Sequence, residues 1–296
     1  MNDPSTPAPA AIRTTEPGIV RFRSDGLELV GERVVAAEPR GTVVLLHGGG
    51  QTRHSWRGTA RRLAEAGWSA VSYDARGHGD SEWARSGGYS MDALVADLGA
   101  VVHTIDEPPV LIGASMGGLT SLVAVGEGHL DVRGVVLVDV APRVEPAGLT
   151  RITGFMSASP QGFATLEDAA DAIAAYTPGR KRPPGLDGLR KNLRLRQDGR
   201  WHWHWDPSFL NFGDEPTRSA RHRRLIESAA GVRAPTLIVR GTRSDVVSAA
   251  GAAELLSTTP GAREVTVPGA GHMLVGDDND VFSREVIAFL EDLPER

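Results

Sequence analysis

Short apolar runs alternate with helix-period segments along most of this chain, and that rhythm leaves few architectures open. Residues 42–46, 69–73, 110–114 and 135–140 read as strands, with helices over 55–66, 91–105 and the stretch following residue 117. The pattern resumes as a strand over 236–240, a helix over 249–257, a strand over 264–267 and a helix over 281–293. Runs this short and this continuously apolar suit strands buried on both faces, so an α/β fold with a mostly parallel sheet and helices on both sides is expected. Residues 19–23 and 27–35 flank Asp25-Gly26, a hairpin signal, which adds antiparallel strands at one edge. At 41% hydrophobic, the 296 residues can fill one large domain of this type.

The rhythm breaks between residues 146 and 231. Residues 165–176 read as an amphipathic helix, 186–195 as a basic helix and 217–230 as another, punctuated by Pro178, Pro183, Pro184, Pro207 and Pro216. This block reads as a helical cap inserted into a core made of 19–145 and 232–296, and residues 1–18, rich in Pro, Ala and Thr, read as a flexible tail.

The strand at 110–114 runs into Gly113-Ala114-Ser115-Met116-Gly117, a G-x-S-x-G element between a strand and a helix. A turn this tight holds the serine in a strained conformation with its hydroxyl exposed. A serine hydroxyl needs a neighbouring base to become a nucleophile. Of the nine histidines, His272 stands apart: it lies in the glycine-rich loop Pro268-Gly269-Ala270-Gly271-His272, after the last expected strand. Loops at the carboxyl ends of strands carry ligand-handling groups in open α/β sheets. Two aspartates follow strands and can orient the imidazole. Asp245 is favoured, and Asp139, which also reads as a turn residue before Pro142, is the competitor. An oxyanion would need two backbone donors. Met116 N–H at the helix start is one. Gly49 N–H in Leu46-His47-Gly48-Gly49-Gly50-Gln51 is the first choice for the other, with Gly50 the second choice and a substrate-facing position.

Together these motifs, with Asp74-Ala75-Arg76-Gly77-His78-Gly79-Asp80-Ser81 after the second parallel strand, make the chain resemble an α/β-hydrolase from residue 19 onward. The resemblance implies a serine hydrolase acting through an acyl-enzyme, with the triad Ser115, Asp245 and His272 and no cofactor or metal. Esterases, cofactor-free haloperoxidase-like enzymes and carbon–carbon bond hydrolases share the pattern. Ala114 differs from the Asp usual before the serine in the hormone-sensitive-lipase branch, so that branch is not assigned. A carboxylic ester of small or medium size is the expected substrate. Carbon–carbon cleavage by the same triad and slow-turnover ligand binding are the alternatives.

Trp201-His202-Trp203-His204-Trp205 holds three of the six tryptophans. In an extended strand the indoles share one face and the imidazoles the other. Trp203 and Trp205 are candidates for an aromatic substrate wall, against the plainer reading that they pack the cap onto the core. The basic residues Arg180, Lys181, Arg182, Arg190, Lys191, Arg194 and Arg196 read as a solvated face rather than a site for an anionic substrate. Asp277, Asp278 and Asp280 read as complements to a helix dipole rather than a calcium site. With 32 Lys and Arg against 37 Asp and Glu, no nucleic-acid partner is expected. The absence of cysteine excludes disulfides and thiol nucleophiles. No apolar stretch approaches the ~18 residues of a membrane span, so no membrane partner and a cytoplasmic location are expected. The oligomeric state is left open.

Overall fold

The computed structural model describes residues 18–85, 88–176, 185–210, 215–272 and 280–294. Its strands are β1 (Gly18–Ser24), β2 (Leu27–Val34), β3 (Thr42–Leu46), β4 (Ser69–Tyr73), β5 (Val110–Ala114), β6 (Gly134–Val138), β7 (Leu193–Leu195), β8 (Trp201–Trp203), β9 (Thr236–Gly241) and β10 (Arg263–Val267). Its α-helices are α1 (Arg57–Glu65), α2 (Met91–Val102), α3 (Met116–Gly126), α4 (Pro146–Ser157), α5 (Leu166–Tyr176), α6 (Glu215–Gly231), α7 (Ala249–Thr258) and α8 (Asp280–Glu291).

Eight strands form one sheet in the order β1-β2-β4-β3-β5-β6-β9-β10. The pairs β1–β2 and β2–β4 are antiparallel and the others parallel. Asp25 and Gly26 close the opening hairpin with positive φ at both positions (50° and 74°), as a two-residue turn matched to strand twist requires. The central strands β4, β5 and β6 are buried at every residue, which explains why β5 and β6 carry no polar side chain and why the two polar side chains of β4 are small serines. One face carries α1 and α8, with Trp56, Leu63, Trp68, Phe282 and Phe289 in its core. The other carries α2, α3, α6 and α7 around Leu98, Leu122, Leu225 and Leu255.

The chain winds from β3 to β4 on one side and to β5 on the other, so strand order reverses at β3. Loops leaving β3 and β5 diverge there and open a crevice at the carboxyl edge of the sheet.

Two expectations for the 146–231 block need correction. Residues 186–195 are not a helix: a 3-10 turn (Asp187–Lys191) leads into β7, which pairs antiparallel with β8. Also, α6 is not part of the cap. Leu225, Ala229 and Val232 sit in the core beneath the sheet. There Gly231 meets α3 so closely that a Cβ on it would lie 2.1 Å from the Gly126 carbonyl oxygen. The structure that stands over the carboxyl edge is α4, α5 and the β7–β8 hairpin, with its own small core of Met156, Phe163, Leu193, Trp203 and Trp205. Pro178, Pro183, Pro184, Arg180, Lys181, Arg182, Asp277 and Asp278 lie outside the described residues, as do residues 1–17 of the expected tail.

Candidate active site

Ser115 has φ 47° and ψ −114°, a conformation rare for a residue with a Cβ. The surrounding sequence dictates it. A Cβ on Gly113 would lie 2.4 Å from the Gly117 carbonyl oxygen, and one on Gly117 would lie 2.5 Å from that of Leu46. Only glycine permits β5, α3 and β3 to approach this closely. Strain of this kind costs roughly 1–3 kcal/mol and persists where the surrounding structure enforces it.

A second strained residue stands beside the first. Asp139 has φ 50° and directly follows β6. Ala114 and Val138 are register partners on the adjacent strands β5 and β6, so Ser115 and Asp139 are neighbours at the sheet edge, about 4.8 Å apart in strand spacing. The Ser115 N–H donates to the Val138 carbonyl at 3.0 Å, and the Asp139 N–H to that of Val239 at 2.7 Å.

His272 enters on the loop after β10 and binds Asp139, with Nδ1 2.6 Å from Oδ2. The carboxylate is buried and also accepts from the Ser244 hydroxyl at 2.6 Å and the Gly241 N–H at 3.3 Å. These bonds fix its orientation. The expected contact between His272 and Asp245 is not made. Asp245 is 42% exposed and grips the Arg151 guanidinium through both oxygens, at 2.6 and 2.8 Å. The reason is topological: β6 adjoins β5, whereas β9 lies one strand further out and the loop after it carries Asp245 to the surface.

The loop after β3 lies over the serine. A Cβ on Gly48 would be 3.4 Å from that of Ser115. Among the described residues, the N–H groups of Gly49 and Met116 have no hydrogen-bond acceptor. Gly48 N–H donates to the Gln51 side chain at 2.9 Å and Gly50 N–H to His78 Nε2 at 3.1 Å. Gly50 is therefore not an available donor, and Gly49 and Met116 are.

Three buried imidazoles surround this loop. His47 Nδ1 donates to the Gly48 carbonyl at 2.8 Å, and its Nε2 accepts from Ala75 N–H at 2.9 Å. His78 Nδ1 donates to the Arg76 carbonyl at 3.1 Å while Nε2 accepts from Gly50. His204, from the cap, accepts from Gly79 N–H on Nδ1 at 2.7 Å and donates from Nε2 to the Gly50 carbonyl at 3.2 Å. These tautomers follow from the bonding pattern, since each ring uses one donor and one acceptor, as only a neutral imidazole can. Burial pushes His47 down to about 4, His78 to about 3 and His204 well below its ordinary value. None of the three was assigned a role from sequence.

Their stability consequence has a definite sign. A histidine whose folded pKa lies below its unfolded value near 6.5 leaves the native state short of protons in acid, so stability falls as pH drops through 6.5. Each imidazole should cost about 2 kcal/mol between pH 6.5 and 5, at about 1.4 kcal/mol per unit. Urea unfolding across that interval should show stability declining with a slope approaching three protons. A flat profile would mean that these rings are not held neutral.

The cap supplies an apolar wall. A Cβ on Gly50 would lie 3.1 Å from Met156 Cε and 3.6 Å from the Trp205 ring, and one on Gly49 would lie 3.3 Å from the Phe209 ring. Trp203 stacks on Trp205, centroids 4.8 Å apart, and meets Phe163 edge-on. The two indoles thus pack the cap, and one of them also faces the glycine loop. Arg190 lies over Trp201 and Arg194 binds Asp80 at 2.6 Å, so both are engaged within the protein. Met156 and Phe209 carried no signal in the sequence, because neither sits in a motif.

Among the described residues no group of three or more His, Asp or Glu side chains could hold a metal ion, and no helix is long and apolar enough to cross a membrane.

Residues 41–278 match the alpha/beta hydrolase fold family. An esterase of Mycobacterium tuberculosis is 29% identical over 242 residues, covering 79% of this chain and 78% of its own. A 3-hydroxybutyrate-oligomer hydrolase of Cupriavidus necator is 27% identical over 247 residues, covering 80% and 83%. The crystal structure of an alpha/beta hydrolase from Novosphingobium aromaticivorans superposes with a TM-score of 0.76 at 28% identity, over 93% of this chain and 98% of that one. With the family matched over most of its length, on a sheet of this strand order, the chain belongs to the α/β-hydrolase fold family of enzymes.

Proposed function

We propose that the protein is a serine hydrolase of carboxylic esters in which Ser115, His272 and Asp139 form the triad. The observation that carries this reading is the His272–Asp139 contact made beside Ser115, on the neighbouring strand end. Asp139 holds the imidazole with Nδ1 protonated, which leaves Nε2 as the base. His272 takes the Ser115 proton as the oxygen attacks the ester carbonyl. The oxyanion is met by the N–H groups of Met116 and Gly49, two donors without other partners. The imidazolium then protonates the leaving alcohol, and water clears the acyl-enzyme by the same path.

The site's surroundings support an apolar acyl or alcohol group of small or medium size. Met156, Trp205 and Phe209 border the glycine loop, with Trp203 behind in the aromatic stack. The esterase and oligomer-hydrolase names of two relatives agree with ester chemistry. A small-molecule substrate is the partner this site fits.

A fluorophosphonate probe tests the reading, followed by peptide mapping and a panel of p-nitrophenyl esters on the same sample. Labelling is expected on Ser115, with a burst of p-nitrophenol and the best turnover on short or medium acyl chains. Ser115 labelling without ester turnover would shift the chemistry to carbon–carbon cleavage or slow-turnover binding. Absence of labelling would remove Ser115 as nucleophile.

A further inference from the structure

The loop between β3 and α1 is held one peptide plane at a time. The Gly48 carbonyl accepts from His47 at 2.8 Å and from Gln51 N–H at 3.0 Å. In a trans peptide the N–H points opposite to the carbonyl, so the Gly49 N–H is turned away from His47. The next plane is fixed through Gly50 N–H on His78, and the one after that through the Gly50 carbonyl on His204. The three rings are contiguous, with centroids 5.2 Å apart between His47 and His78 and 5.8 Å between His78 and His204.

Two of these rings come from loops of the sheet core. The third belongs to the cap. His204 is 1% exposed and its own backbone N–H is bound to the Asn192 carbonyl at 3.1 Å. The segment around it is tied to the loop after β4 at three further places. Gly79 N–H donates to His204 Nδ1, Asp206 N–H donates to the Gly77 carbonyl at 2.8 Å, and Arg194 reaches Asp80. Tyr89 adds a hydroxyl bond to Asp206 at 2.5 Å. Gly50 has φ +74°, so the loop turns sharply at the residue whose N–H is held by His78 and whose carbonyl is held by His204.

We propose that His204 is a positioning residue for the oxyanion site: the cap supplies the hydrogen bond that fixes the Gly50 carbonyl, and through it the direction of the Gly49 N–H. This rests on the ester-hydrolase reading above. Seating of the cap and stabilisation of the transition state are then one event. A cap that is displaced leaves the Gly50 carbonyl without this donor and loosens the Gly50–Gln51 plane whose N–H binds the Gly48 carbonyl, while His47 and His78 keep their own bonds to the loop.

The experiment uses the full-length protein and a short-chain p-nitrophenyl ester. His204→Asn keeps an acceptor near the Nδ1 position for Gly79 but cannot reach the Gly50 carbonyl. His204→Gln places an amide donor near the Nε2 position. The Asn variant should lose about 10- to 100-fold in kcat with KM within about twofold, the scale of a misdirected oxyanion donor. The Gln variant should recover most of that loss. A trifluoromethyl ketone, which binds as a tetrahedral oxyanion, should weaken against the Asn variant by the same factor as kcat/KM. Fluorophosphonate labelling of wild type at Ser115 separates failure of the hydrolase reading from failure of this one. If kcat and ketone affinity stay near wild type in His204→Asn, or if both variants lose activity only in step with Tm, the inference is overturned. Nitrogen-15 NMR of the wild-type histidines tests the hydrogen bond on which the proposal stands. His204 should be neutral with the proton on Nε2, and a proton on Nδ1 would overturn the proposal.

Discussion

Replacing Ser115 by alanine is expected to lower kcat for an ester substrate by about 10⁴-fold or more while leaving Tm almost unchanged. The two halves of that expectation come from different features. Activity collapses because the attacking oxygen is gone. What remains is the oxyanion donors and the binding surface acting on water. Stability is spared because the strained φ of 47° is imposed by Gly113 and Gly117 packing against their neighbours, and alanine occupies the same backbone. The serine side chain makes no capping bond to the helix that follows it, so none is lost. Stopped-flow kinetics and a thermal melt on one preparation check both halves. Activity within tenfold of wild type would take Ser115 out of the mechanism.

Asp139→Asn should be nearly as damaging, about 10⁴-fold in kcat, and Asp245→Asn should be nearly silent. An asparagine at 139 can offer an amide hydrogen where the carboxylate now accepts from His272, turning the ring to the wrong tautomer. It also cannot stabilise the imidazolium formed in the transition state. The same change disturbs the bonds from Ser244 and Gly241, so a modest drop in Tm should accompany it. At Asp245 the partner is Arg151, and the two side chains are 42% and 43% exposed. A pair that open to water contributes about 0–1 kcal/mol. Kinetics on the two variants side by side give the answer. If Asp245→Asn is the damaging one, the acid assigned here is wrong.

Much of this arrangement is legible in the sequence. The strands 42–46, 69–73 and 110–114 coincide with β3, β4 and β5, because strands covered on both faces are short runs dominated by apolar and small side chains. Ser115 was legible because its turn demands glycine on both sides. The acid was not, and the reason is specific. Both aspartates follow a strand, and local pattern carries no information about which strand lies next to β5. That neighbour relation is a property of the assembled sheet, and it favours Asp139. Residues 186–195, which form a 3-10 turn and β7, read as a helix because their arginines and leucines have helical propensity. The overlooked signal was Asp198-Gly199, a turn pair with Gly199 at φ 73°. The helix at 217–230 corresponds to α6, but a helix pattern does not say whether it packs in a cap or under the sheet. The clamp around Gly50 is not legible in the sequence because His47, His78 and His204 lie in three separate segments, and only the folded chain brings their rings together.

One consequence of the topology concerns how such a protein can change its selectivity. The chain leaves β6 at Val138 on the carboxyl edge and re-enters the adjoining strand β9 at Thr236, which pairs with Val135 at the opposite edge. The two strands are parallel, so α6 carries the chain back across the sheet, and the covering elements α4, α5 and β7–β8 all precede it; a longer, shorter or unrelated covering segment could be grafted between Val138 and α6 without re-threading the sheet. The graft would not be neutral, however. Whatever replaces residue 204 must offer its own hydrogen to the Gly50 carbonyl, so chimeras built to alter substrate choice would inherit a turnover penalty until that one contact is rebuilt.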